Sequence, residues 1–238
     1  MIAAVAEAAG PVARRLARGE VPGDPKRTVG VNSAGDKQKA LDVATHDFFV
    51  AKLIAGGAAA VLSEEEEAVI PGAEAGRVAV AIDPIDGSGS IGIGAPLGTL
   101  FGVWPAEGGF LRPGREMLAA GYLSFGHTVD MGFSLGDGVV IATLDPAEGV
   151  FRVVVERVVL GSEASMIAHN ALNHRHWAPG VRAYVEDIHA GGDAPGAASS
   201  TCAGSRRPWA NCTGYCARGA CSSMSRTAGP GTRAGGSG

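Results

Sequence analysis

The chain has 238 residues, enough for one large domain or two modest ones around a sizeable core. Its formal charge of −4 and pI near 5.9 exclude the basic face that nucleic-acid binding requires, and no apolar run reaches the length of a membrane span. All four cysteines follow residue 201, so the preceding sequence carries no disulfide framework and reads as a cytoplasmic α/β protein.

Residues 1–19 place Ile2, Val5, Ala9, Val12 and Leu16 at helical spacing, and MIAAVAEAAG lacks the basic start of a signal peptide. Loop signals follow at Gly23, Pro25 and Gly35. KALDVATHDFFVAKLIAGG predicts a second amphipathic helix, closed by Gly56-Gly57. AAAVLSEEEEAVIPG predicts a short buried strand running into an acidic segment, and VAVAID (78–83) a strand ending in turn chemistry. GTLFGVWP, AAGYLSFG, GVVIATLD and VFRVVVERVVL are four further strand candidates. From about Ala190 the hydrophobic periodicity disappears, and 191–238 reads as a tail without regular structure. The expected organisation is an N-terminal metal- and phosphate-binding α/β domain (1–160), the start of a second, sugar-binding domain (161–190), and the aberrant tail.

The chemistry concentrates at Asp36 and Asp42, at the run Glu64–Glu67, and at Asp83-Pro84-Ile85-Asp86-Gly87-Ser88. Pro84 stiffens the link between two acids, while Gly87 permits close backbone approach and the Gly87 and Ser88 amides are candidates to cradle a phosphate. Several carboxylates together are unfavourable unless a cation neutralises them. Hard oxygen ligands without histidine or thiolate point to Mg²⁺ or Mn²⁺, and such an ion beside a phosphate cradle points to phosphoryl hydrolysis. Singly, each feature has a plainer reading: a solvated glutamate run, a surface aspartate, a Pro-Asp-Gly turn. Their coincidence on separate elements is what singles them out.

AGDKQKALDV, VLSEEE, VAIDPIDGSGSIGIGAPLGTLFGV, LAAGYLSFG and LGDGVVIATLDPAEGVF together resemble class 1 fructose-1,6-bisphosphatase, of the Mg²⁺-dependent sugar and inositol phosphatase superfamily. IAHNALNHRHWAPGVRAYVED is similar to the segment that opens that family's second half. Ser90 and Gly92 in DPIDGSGSIGIG resemble the type found in autotrophic bacteria, which implies a Calvin-cycle role. The resemblance implies a layered α/β sandwich, a homotetramer, a cytoplasmic location and a sugar bisphosphate substrate. It implies that Glu64, Asp83, Asp86 and the Ile85 carbonyl bind metal. Asp36 and Glu65 would serve a third metal and the attacking water, and Asp42 a proton relay. Asp86, Gly87 and Ser88 would bind the 1-phosphate, with Asn170 near the 6-phosphate. Sedoheptulose 1,7-bisphosphatase or an inositol-type phosphatase is the alternative within the class.

The same resemblance implies that the second half is truncated. Family members continue after RAYVED with a motif like NMRWxASxVxEvHRILxxGGxFLYP and later supply a further metal-binding Glu; neither is present in 190–238. Joining the third base of each codon to the first two of the next lets residues 201–224 spell NMRWVASPVGELHRILRAGGVFLY. This implies a frameshift between about Ala190 and Ser200. Cys202, Cys212, Cys216 and Cys221 then stand where Met, Leu, Leu and Val belong, rather than forming a zinc module, whose usual ligand spacings they do not match. Translated as written, the chain would be a metal-binding remnant lacking the sugar-phosphate pocket.

Overall fold

The computed structural model describes residues 1–31, 37–159, 166–169, 171–190 and 201–204. Two expected site residues, Asp36 and Asn170, lie outside them, as do Cys212, Cys216 and Cys221. The chain divides into two compact units, Met1–Val158 and Val159–Gly238.

The first unit opens with helix α1 (Ile2–Ala17), which buries Ala4, Val5, Ala8, Ala9 and Val12 along one stripe. A small antiparallel pair, β1 (Thr28–Val31) and β2 (Lys37–Lys39), occupies ground that the loop signals assigned to coil. Helix α2 (Ala40–Ala55) follows directly. Its amphipathic spacing buries Leu41, Phe49, Val50 and Leu53 together with three polar residues, Asp42, Thr45 and His46. Phe49 and Leu53 are fully buried, each contributing about 1.5–3 kcal/mol of hydrophobic stabilisation.

The strands β3 (Ala58–Ser63), β4 (Ile70–Pro71), β5 (Val78–Asp86), β6 (Leu97–Pro105), β7 (Ala119–Phe125), β8 (Val129–Ser134), β9 (Val140–Asp145) and β10 (Val150–Val155) form one sheet. Their order is β10-β9-β8-β7-β6-β5-β3-β4. From β5 to β10 every neighbour is antiparallel; β3 and β5 run parallel, side by side. Sequence spacing located all of these strands except β4, which is only two residues long, and β8, whose Gly132 and Asp130 dilute the alternation. The strand expected over VFRVVVERVVL ends at Val155. Core residues on α1, α2 and one sheet face, among them Val61, Val80, Ile82, Phe101 and Leu123, make a single apolar cluster.

In the second unit, β11 (Met166–His169) precedes a 3₁₀ segment (Ala171–His176) and helix α3 (Pro179–Ala190). The tail expected to lack regular structure contains a short strand, β12 (Thr201–Gly204), paired in parallel with β11. Main-chain pairing needs no hydrophobic alternation, which is why periodicity did not mark it.

Candidate active site

The site starts from the one parallel pair in the eight-stranded sheet. Ser63 lies opposite Ile82, and the Glu64 N–H donates to the Ile82 carbonyl at 3.1 Å. Because the two strands run the same way, Glu64, just past the end of β3, and Asp83, where β5 continues beyond β3, come together at the carboxyl end of that strand pair. Open α/β sheets place ligands there.

A bulge brings in the next acid. Asp83 pairs with Leu100 and Asp86 with Gly98, so β5 carries one residue more than β6 between these points. Residues three apart on a regular strand face opposite sides; one inserted residue reverses the parity. Ile82 and Ile85, also three apart, accordingly both enter the core cluster, leaving Asp83 and Asp86 together on the other side. Pro84, with no N–H to leave unpaired, is buried at the bulge, and the Thr99 hydroxyl donates to its carbonyl at 2.8 Å.

The electrostatics follow from this crowding. Burial, then the charges of Asp86, Glu64 and Glu65, pushes the Asp83 pKa up to about 7, against the Ile85 N–H that its carboxylate accepts. Burial raises Asp86 to about 6, opposed by the Gly87 N–H. Gly87 adopts the left-handed conformation (φ 81°) that lets the chain turn into the 3₁₀ segment Ser88–Ser90. Its amide, expected to face a phosphate, here donates to Asp86.

Asp42 enters from the first turn of α2. Its carboxylate accepts the Lys39 N–H at 3.3 Å in a capping box, while its buried Oδ1 has no hydrogen-bond partner among the described residues. Burial and then the Glu65 charge raise its pKa to about 6. Three residues not singled out from sequence complete the surroundings. Gln38 Nε2 donates to Glu65, Lys39 Nζ donates to the Ser88 carbonyl, and His46 Nδ1 meets Ser63 Oγ at 2.7 Å. Gln38, Asp42 and His46 recur at four-residue spacing, which was the available signal.

Thus Asp42, Glu64, Glu65, Asp83 and Asp86 share one electrostatic neighbourhood. Among the described residues, no three His, Cys, Asp or Glu side chains converge closely enough to hold a metal ion. The donors nonetheless suit a hard divalent cation. All are oxygens, the charges of Asp86, Glu64 and Glu65 raise the Asp83 pKa and that of Glu65 raises the Asp42 pKa, and among the described residues a buried Asp42 oxygen lacks a partner. A separate cavity of about 870 Å³, with Arg14, Leu41, Ile91, Phe125 and Val129 in its wall, includes none of these carboxylates.

Residues 3–156 match the family model for the N-terminal domain of fructose-1,6-bisphosphatase. The chain belongs to the fructose-1,6-bisphosphatase family. The class 1 fructose-1,6-bisphosphatases of Brucella anthropi and Brucella ovis are each 50% identical to it over 196 residues, covering 82% of this chain and 58% of theirs. The chain therefore spans less than two thirds of the length of these relatives. The crystal structure of Leishmania major fructose-1,6-bisphosphatase in holo form superposes with a TM-score of 0.76 at 23% identity, over 86% of this chain and 66% of that one. The T-state structure gives 0.68 at 22% identity. These likenesses carry the layered α/β fold expected of a fructose-1,6-bisphosphatase. Among the described residues, no helix is long and apolar enough to cross a membrane.

Proposed function

We propose that the chain is a Mg²⁺-dependent phosphatase that hydrolyses the 1-phosphate of D-fructose 1,6-bisphosphate, giving D-fructose 6-phosphate and phosphate. The supporting observation is that Glu64, Glu65 and Asp86 lie within electrostatic reach of Asp83, and Glu65 within reach of Asp42 on α2. Glu64, Asp83, Asp86 and the Ile85 carbonyl would hold Mg²⁺ or Mn²⁺, with Asp36 and Glu65 assigned to a third ion. When bound, the ions neutralise phosphoryl charge and acidify the attacking water. Glu65 orients that water and takes its proton. Asp42, with a pKa near 6 and an unpartnered Oδ1, relays it. Asp86 and the Gly87–Ser88 turn would bind the 1-phosphate, with Asn170 assigned to the 6-phosphate. The proposal includes a cytoplasmic homotetramer serving the Calvin cycle or gluconeogenesis.

Phosphate release from fructose 1,6-bisphosphate with Mg²⁺ is the test. Turnover that Asp83→Ala abolishes supports the enzyme. Mn²⁺ binding without turnover at any metal concentration supports the remnant, a reading motivated by residues 190–238, which in their written frame lack the family's sugar-phosphate motif. Resequencing the codons around 190–200 decides the frameshift: an unshifted frame there sinks that part of the proposal.

A further inference from the structure

The turn that carries Glu65 is gripped from α2 and β2 by side chains outside the carboxylate set. Gln38 Nε2 donates to both the Glu65 carbonyl (2.9 Å) and Glu65 Oε2 (2.8 Å), one N–H for each. From the other side, Ser63 Oγ accepts the Glu65 N–H at 3.4 Å and is itself held by His46 Nδ1 at 2.7 Å. His46 and Ser63 are both buried, 7% and 4% exposed, so this pair has no water to substitute for it. The Glu66 N–H closes the turn onto the Ser63 carbonyl at 3.4 Å. Glu65 therefore has its amide, its carbonyl and one carboxylate oxygen engaged, and among the described residues Oε1 takes no hydrogen bond.

We infer that Gln38 and His46 are positioning residues. They lock the Glu65 turn so that a single carboxylate oxygen, Oε1, is presented to the metal and its water. The inference rests on the metal-site reading above and adds two residues to it. Outer groups of this kind typically change metal affinity ten- to a hundred-fold when removed, because they fix a ligand that would otherwise rotate away. Gln38 acts directly on the carboxylate. His46 acts at one remove, through Ser63.

The test uses the full chain. Free Mn²⁺ is counted by EPR during titration of wild type, Asp83→Asn, Gln38→Leu, His46→Leu and His46→Asn. Wild-type binding that Asp83→Asn weakens establishes the metal site. On that background Gln38→Leu and His46→Leu each weaken binding about ten- to a hundred-fold. His46→Asn, which keeps a polar group near the Nδ1 position, recovers most of the loss. Wild-type affinity in Gln38→Leu overturns the inference and leaves the metal site standing. Failure of wild type to bind Mn²⁺ counts against the metal site instead, and the clamp is then read without metal by NMR. The Gln38 side-chain NH₂ resonances are displaced and slow to exchange in wild type; in Glu65→Ala the proton given to Oε2 loses both properties, while the one given to the Glu65 carbonyl keeps its bond. Resonances that already look solvent-exposed in wild type overturn the clamp.

Discussion

Asp83 carries the most unfavourable charge in the site, and its consequences are measurable without any substrate. A carboxyl whose pKa is higher folded than unfolded holds its proton more tightly when folded. The stabilising contribution of Asp42, Asp83 and Asp86 is thus fully present below about pH 4 and is lost as the pH rises through about 6 to 7. Thermal melts of the metal-free protein are expected to show a falling Tm across that window. Asp83→Asn removes the largest of the three shifts. It should raise metal-free stability at pH 8 by on the order of 2 kcal/mol after allowance for solvent screening, and flatten the pH profile. Mg²⁺ should raise the wild-type Tm more at pH 8 than at pH 5, because at pH 5 it must displace protons. A Tm that climbs from pH 4 to pH 8 without metal would show that the carboxylates are not crowded.

At the scale of elements, the bulge between Asp83 and Asp86 decides whether the two acids meet. The motif DPID announces two carboxylates and a proline, but in a regular strand residues 83 and 86 would face opposite sides of the sheet. Only the pairing with β6, slipped by one residue at Thr99, puts them together. Thr99 is fully buried and its hydroxyl satisfies the Pro84 carbonyl. Thr99→Val keeps the shape and orphans that carbonyl, so it should cost about 1–3 kcal/mol in denaturant unfolding. If the bulge also relaxes, Mn²⁺ affinity falls with it; an unchanged unfolding midpoint would mean that the hydroxyl is not what holds the bulge. A second element-scale constraint lies on β7. A Cβ at Gly121 would sit 2.6 Å from both the Gly132 carbonyl and the Phe101 ring. Gly121→Ala should lower stability by roughly 1–3 kcal/mol through overpacking, seen as a lower Tm.

For the whole molecule, the eight-stranded sheet ends on β10, which among the described residues pairs only with β9. Val150, Val153 and Val154 on this edge strand are each about half exposed, at 47%, 56% and 59%. A long apolar edge strand favours pairing with another chain. Val153→Lys combined with Val154→Lys is expected to reduce concentration-dependent association in light scattering, with Tm little changed. Association that the double variant leaves untouched would place the contact elsewhere on the molecule.

Much of this was legible in the residues themselves, for identifiable physical reasons. Both helices of the first unit follow from apolar spacing, most strands follow from β-branched runs between glycine turns, and the motifs around Asp42, Glu64 and Asp83 carried the family. Local sequence reports these well because helix stripes, turn residues and carboxylate-rich turns are short-range properties. β4, β8 and the β1–β2 pair escaped because glycines, charges and short length erase periodicity. The grip of Gln38 and His46 on the Glu65 turn escaped for another reason: its partners are 27 and 17 residues apart in sequence. Sequence by itself determined which acids are present and which chemistry they suit. Tertiary structure decided that they share one edge. A parallel pairing aligns two strand ends, and a one-residue bulge reverses which face a side chain occupies; neither effect is encoded in the spacing of a single segment.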